Sequence, residues 1–170
     1  MKIIGAILVF ISSSLLGLQN ALKIKFHIND LKKICVALTI LKSEIEFGAS
    51  TLYEAAKNIS ENSNSFVHEI FSQIAKQLEK KSNCAKNIWL DSINSVSQNI
   101  YIDSDDISTL NSFANVISNI DRQLQLKNLQ TIICQLEKKI ALLETKYQNE
   151  KKLHCNLGIL FGILIVIIFI

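Results

Sequence analysis

Between Asn29 and Lys152 the apolar residues recur at helical intervals. Leu31, Ile34, Cys35, Leu38, Leu41 and Ile45 fall three or four positions apart, which places them on one face of a helix. Asn29 or Asp30 is suited to cap its start, and Gly48 to stop it. Thr51 with Glu54 three positions later has capping-box spacing, and it opens a short helix with Leu52, Ala55, Ala56 and Ile59 inward. The polar stretch from Ser60 to Ser65 predicts a loop. Phe66, Val67, Ile70, Phe71, Ile74 and Leu78 line a third helix, and Ala85, Ile88, Trp89 and Val96 a fourth. Asp103, Asp105 and Asp106 supply acidic capping residues where a helix N-terminus is electropositive. Ile107, Leu110, Phe113, Ala114 and Ile117 follow as a fifth helix. In the last helix Leu129, Ile133, Leu136, Ile140, Leu143 and Tyr147 alternate steps of four and three, a heptad seam.

Both ends break this amphipathic pattern. From Leu153 to Ile170 there are 18 residues, almost all apolar, or roughly 27 Å of helix at about 1.5 Å per residue. A hydrocarbon core of about 30 Å is nearly spanned by that length. The segment from Ile3 to Leu22 is apolar too, interrupted only by small or mildly polar residues. The expected organisation is a membrane helix over 1–22, a helical bundle over 23–152 and a second membrane helix over 153–170. No Gly or Pro precedes Gly158 in the last helix, so the bundle is expected to continue unbroken into the C-terminal run.

Charge orients the two spans. Lys23, Lys25, Lys32 and Lys33 follow the first run; Lys146, Lys151 and Lys152 precede the second. Lys and Arg near a span favour the cytoplasmic side, so the middle of the chain is expected there, with both termini outside. The alternative is a cleaved signal peptide ahead of Gln19-Asn20-Ala21, which leaves a bitopic adaptor with its bundle outside the cell.

Composition adds the fold class. Proline is absent and glycine occurs five times in 170 residues, so little interrupts long helices. The class is all-α, a cytoplasmic bundle of about six helices between the two spans. A net charge of +3 is too small for a nucleic-acid-binding surface.

Candidate chemistry is sparse. Cys35, Cys84, Cys134 and Cys155 are widely spaced, with no C-x-x-C, and read as reduced thiols acting as small apolar residues. Cys155 also sits where a membrane-edge thiol can be acylated. His27 and His154 lie among lysines beside the spans, and His68-Glu69 lacks a second histidine at zincin spacing. The aspartates from Asp103 to Asp106 fail the calcium-loop pattern. No phosphate loop or nucleophile elbow is present, so neither enzymatic activity nor a cofactor is expected. In the apolar runs, Gly158 with Gly162 and Ser13 with Gly17 are small-x-x-x-small pairs that let membrane helices approach closely.

Three blocks then resemble one family. "LTILKSEIEFGASTLYEAAKNI", Leu38 to Ile59, is similar to the signature of the stage III sporulation protein AB family of endospore-forming bacteria. Glu44, Ile45, Phe47, Gly48, Leu52, Glu54 and Ala55 match it, with Thr51 in place of the family's proline. "FANVISNIDRQLQ" resembles a second block through Phe113, Asp121 and Gln125, with Ala114 and Ser118 replacing two glycines. "LGILFGILIVIIFI" resembles the family's closing span, and the N-terminal run also fits.

The resemblance implies a soluble region similar to the helical-bundle domain of the inner-membrane platform protein of type II secretion and type IV pilus systems. It implies a non-enzymatic part in the channel between mother cell and forespore, in the outer forespore membrane on the mother-cell side. The implied partners are membrane lipid, a stage III sporulation protein AA-like ATPase, other channel subunits and further copies of the chain. The exposed acids Glu44, Glu46 and Glu54 are candidates for a docking face.

Overall fold

The computed structural model describes the backbone of residues 2–47, 51–80, 83–118 and 121–169, and the side chains of 22–47, 51–80, 83–118 and 121–153. Among these residues the chain is all helical. Six α-helices occur: α1 (Lys2–Phe47), α2 (Leu52–Glu61), α3 (Phe66–Glu79), α4 (Ala85–Ser97), α5 (Ser104–Asn111) and α6 (Arg122–Phe169). A 3-10 turn, Ser112–Asn115, extends α5.

The chain divides into two compact units. One comprises Asn29–Ile140, and the other Met1–Ile28 with Ala141–Ile170. In the first unit the α1 and α6 segments run antiparallel. Lys42 Nζ donates to Gln130 Oε1 at 2.7 Å, and Arg122 Nε donates to the carbonyl of Ile45. The four shorter elements pack in chain order, α2 on α3, α3 on α4 and α4 on α5.

Much of the core is where the periodicity put it, although Leu143 and Tyr147 of the expected seam are only half-buried. Leu31, Leu38, Leu41, Ile59, Ile74, Ile88, Leu129 and Leu136 are fully buried. The α6 stripe is wider than a heptad seam, because Ile132 is buried beside Leu129, Ile133, Leu136 and Ile140. A helix packed against several neighbours needs a broader apolar face than a two-stranded coil. Trp89 stands at the centre. Its ring meets Phe113 edge-on at 5.0 Å and Phe71 at 6.2 Å, and its Nε1–H donates to the Leu110 carbonyl at 3.0 Å. Burying the indole therefore leaves no donor unpaired.

Four local expectations are corrected. The helix start expected at Asn29 or Asp30 is absent, because α1 is continuous from Lys2 to Phe47. No proline, and no glycine after Gly17, interrupts that stretch. Asp30 serves the α4–α5 connection instead, accepting from the Tyr101 backbone N–H at 3.1 Å. Ser60 belongs to α2 rather than to the loop; its hydroxyl bonds back to the Lys57 carbonyl at 2.8 Å. Ile45, Leu52, Leu78 and Ala85 are half-buried, since each lies near a helix end where the core thins, and Ile107 is half-buried in the middle of α5. Finally, Phe113 and Ala114 reach the core from the 3-10 turn rather than from α5.

The second unit carries exposed apolar side chains at Leu22, Phe26, Leu142 and Leu153. Among the described residues no helix is long and apolar enough to cross a membrane. Nearly all the side chains of the two terminal apolar runs lie outside the described residues, and so do those of Ser13, Gly17, Gly158, Gly162, His154 and Cys155.

Candidate functional site

Most of the motif residues gather at two corners, where α1 turns into α2 and where the 3-10 turn leads into α6. The Arg122–Ile45 bond joins these corners. At the first, Thr51 is the N-cap of α2 and forms a complete capping box with Glu54. The Glu54 backbone N–H donates to Thr51 Oγ1 at 3.3 Å, and the Thr51 N–H donates to Glu54 Oε2 at 2.7 Å. Proline in the family's version of this position is also a helix starter, so threonine changes the device and keeps the corner. Glu44 accepts from Asn58 Nδ2 at 2.6 Å and so ties α1 to α2. Ala55 is buried, as a small residue must be where two helices meet closely.

At the second corner Asp121 caps α6, accepting from the N–H groups of Gln123 and Leu124 at 2.9 and 3.2 Å. Gln125 Nε2 donates to the Ile117 carbonyl at 3.1 Å, which closes the turn from the other side. Phe113 is fully buried against Trp89. With Ala114 buried and Ser118 exposed in place of the family's two glycines, the turn still forms. Gly48 lies outside the described residues, directly after the end of α1.

Phe47 is the exception among the motif residues. It ends α1 with 82% of its surface exposed. Leu124, in the first turn of α6, is 40% exposed. Glu46, Glu54 and Asp121 are exposed, and Glu44 is half-buried. The last turn of α1 holds Glu44 and Glu46 and no basic residue, although helix carbonyls there favour cations. The Arg122 guanidinium is the described group that answers this polarity, through the Ile45 carbonyl.

The other candidates resolve into structural roles. Asp103 is the N-cap of α5, and Asp106 completes a second capping box. Lys139 of α6 reaches both carboxylates at 2.7 Å, and Asp106 is 1% exposed. Burial pushes the Asp103 carboxyl up, but hydrogen bonds from Lys139 and the Asp106 backbone outweigh it and hold the group down to about 2. Lys139 is likewise disfavoured as a cation by burial, yet its two carboxylate partners leave its pKa raised. His68 Nδ1–H donates to the Ser60 carbonyl at 2.8 Å and fastens α3 to the end of α2. Burial, with the nearby Glu137 charge, pushes the Cys35 thiol up to about 11, so it stays protonated as an apolar filler. Cys84 is exposed and Cys134 half-buried.

Sequence reasoning missed two participants. Arg122 stood inside a quoted block without a role, and Lys139 lay off the apolar seam. Charge at a helix start such as Arg122 gives a weak signal, because its partner is a backbone carbonyl that no side-chain pattern marks. Lys139 could have been sought as the cation that an acidic box attracts.

Comparison with known proteins agrees with this geometry. The family model for stage III sporulation protein AB matches residues 2–170. Stage III sporulation protein AB of Bacillus subtilis (strain 168) is 25% identical over 168 residues, covering 99% of this chain and 98% of that protein. A solved structure of stage III sporulation protein AB superposes with a TM-score of 0.68 at 25% identity, covering 72% of this chain and 97% of that one. With matching motif residues at both corners and a family match along nearly the whole chain, the protein belongs to the stage III sporulation protein AB family.

Proposed function

We propose that this protein is a non-enzymatic, membrane-held assembly component of the channel between mother cell and forespore. A sporulation role follows from family membership; the channel, the platform and the partners are the present reading. In it, residues 1–22 and 153–170 are membrane helices, and the intervening bundle faces the mother-cell cytoplasm. The bundle offers a docking surface to an ATPase similar to stage III sporulation protein AA and to other channel subunits. The observation that carries this is the chain-wide family match, which includes both apolar ends as well as the bundle. Lysine clusters on the inner flank of each apolar run support the orientation.

The test combines topology with phenotype. Single-cysteine variants retaining Cys84 or Cys134 are treated in intact cells with a membrane-impermeant maleimide. Protection that disappears on detergent opening supports a cytoplasmic bundle. Labelling in intact cells favours the bitopic adaptor with its bundle outside. Deletion of the gene is expected to stop heat-resistant spore formation, and normal sporulation without it would end the proposal.

A further inference from the structure

Beside α1, the connection from α2 to α3 encloses an open groove of about 310 Å³. That lies at the small end of the range for protein binding pockets, which begins at about 300 Å³. One wall is α1, through Asn29, Lys32, Lys33 and Val36. These positions stand three or four apart, so the helix turns them to one side together. The other wall is the connection itself, through Asn62, Ser63 and Asn64.

The chemistry of the groove has a sign. Two ammonium groups line it and no carboxylate does. Lys33 is held in place, with Nζ 5.5 Å from the centre of the Phe66 ring and 3.7 Å from Asp30. Asp30 also serves the α4–α5 connection, accepting from the Tyr101 N–H at 3.1 Å. An exposed ion pair as long as 3.7 Å is weak, so it orients Lys33 without cancelling its charge. Asn62 donates back to Asn58 and steadies the second wall. Among the described residues, no hydrogen bond of the fold uses the side chains of Asn29, Ser63 or Asn64. The connection is also held in a costly shape, because Ser65 sits at φ 70° and ψ −152°. Strain of that kind clusters at ligand clamps.

Two cations, unused neutral donors and no acid select an anionic ligand. Val36, which lines the groove and is 60% exposed, adds an apolar contact that a bare phosphate leaves unused. We infer that this groove receives an acidic peptide segment of a partner protein, its carboxylates meeting Lys32 and Lys33 and an apolar neighbour covering Val36. This rests on reading the chain as a docking component. It adds where the partner docks and what its segment must present.

The test uses the full-length protein in neutral detergent and a fluorescein-labelled peptide of alternating glutamate and leucine, read by fluorescence anisotropy. Saturable binding is expected, and it should weaken as salt rises. A glutamine–leucine peptide should bind at least about tenfold more weakly, the scale of a lost charge-assisted contact. Lys32→Glu combined with Lys33→Glu should lose at least about tenfold too. Lys86→Glu with Lys127→Glu changes the net charge equally at exposed sites outside the groove, and should stay within about twofold. Because Lys33 also braces Phe66, Lys32→Glu and Asn64→Ala serve as milder variants. Each should weaken binding about threefold at an unchanged urea midpoint.

Equal losses in the two double variants would mean attraction to net charge alone, and would overturn the proposal. So would equal binding of the glutamine peptide, or no binding of the glutamate one. Displacement of the peptide by equimolar inorganic phosphate, or by phosphatidylglycerol vesicles, overturns it in favour of a phosphate or lipid site. The docking reading fails separately, through normal sporulation of a host lacking the gene. A host that needs the gene, with a protein that ignores the peptide, removes only the groove.

Discussion

The α2 and α5 starts are built on the same motif and end in different places. At α2, Thr51 and Glu54 close a capping box on each other, and both side chains stay in solvent. At α5, Asp103 and Asp106 close an equivalent box, but Asp106 is 1% exposed and Lys139 arrives from α6 to meet both acids at 2.7 Å. The first box finishes a helix. The second also fastens that helix to another one 36 residues away along the chain. An identical local device thus carries very different energy depending on what surrounds it, because a charge removed from water must be paired.

Breaking the buried box should therefore cost most. Lys139→Met leaves the Asp106 carboxylate buried without its cation, a change that destabilises by about 3 kcal/mol or more. Unfolding in urea, followed by the fluorescence of Trp89, the single tryptophan, measures it directly. Adding Asp106→Asn to Lys139→Met should recover most of the loss, since a neutral pair no longer strands a charge. If the single variant costs less than about 1 kcal/mol, the two boxes are energetically alike and the contrast between them is void.

Acid separates the two boxes in another way. The folded Asp103 carboxyl lies at about 2, below its ordinary 3.8. A depressed carboxyl contributes stability above its unfolded pKa and loses it as pH falls through the folded one. Between pH 3.8 and about 2 the protein should therefore lose stability, and the loss should be smaller in Lys139→Met, where the main lowering partner is gone and the Asp106 hydrogen bonds remain. Unfolding midpoints at pH 5, 3.5 and 2.5 in both proteins test this. Lys139, raised above 10.5, behaves oppositely: its contribution is present below 10.5 and is lost as pH rises through the folded value.

At the exposed box, Thr51→Ala should cost about 1 kcal/mol, the ordinary worth of a helix cap, with no added penalty for a stranded charge. A loss as large as that of Lys139→Met would show that the α1–α2 corner is a tertiary fastener too.

What could be read from the chain divides along the same line. The Thr51–Glu54 box was legible, because a hydroxyl three positions before an acid is a local pattern, and the acids from Asp103 to Asp106 were legible as caps, though not as a closed box. So were Leu31, Leu38, Ile74, Leu129 and Leu136, which a 3.6-residue period places inward. The burial of Asp106, the reach of Lys139 and the Arg122–Ile45 bond were not, because each depends on a contact between segments far apart in sequence. Phe47 shows the limit from the other side. Its type and its place in a motif argued for importance, but only the fold reveals that it faces solvent and not the core. The start expected at Asn29–Asp30 failed because a capping residue begins a helix only where the chain has a reason to stop being one, and nothing there gives it one.

A third corner sharpens the comparison with the smallest expected effect. α3 begins at Ser65, whose side chain makes no cap hydrogen bond and whose backbone sits at φ 70° and ψ −152°. That region is open to glycine and costs other residues about 1–3 kcal/mol. The corner holds because neighbours over-determine it: His68 bonds the Ser60 carbonyl at 2.8 Å, and Phe66 and Val67 are buried directly after the turn. Ser65→Gly relieves the steric cost, removes no cap, and gives back part of the gain through a more flexible unfolded chain. A net stabilisation of about 0.5–1 kcal/mol should appear as a higher urea midpoint with an unchanged slope. Destabilisation instead would mean that the serine hydroxyl takes part in starting α3, which would make this corner a third capped start and not an uncapped one held by packing.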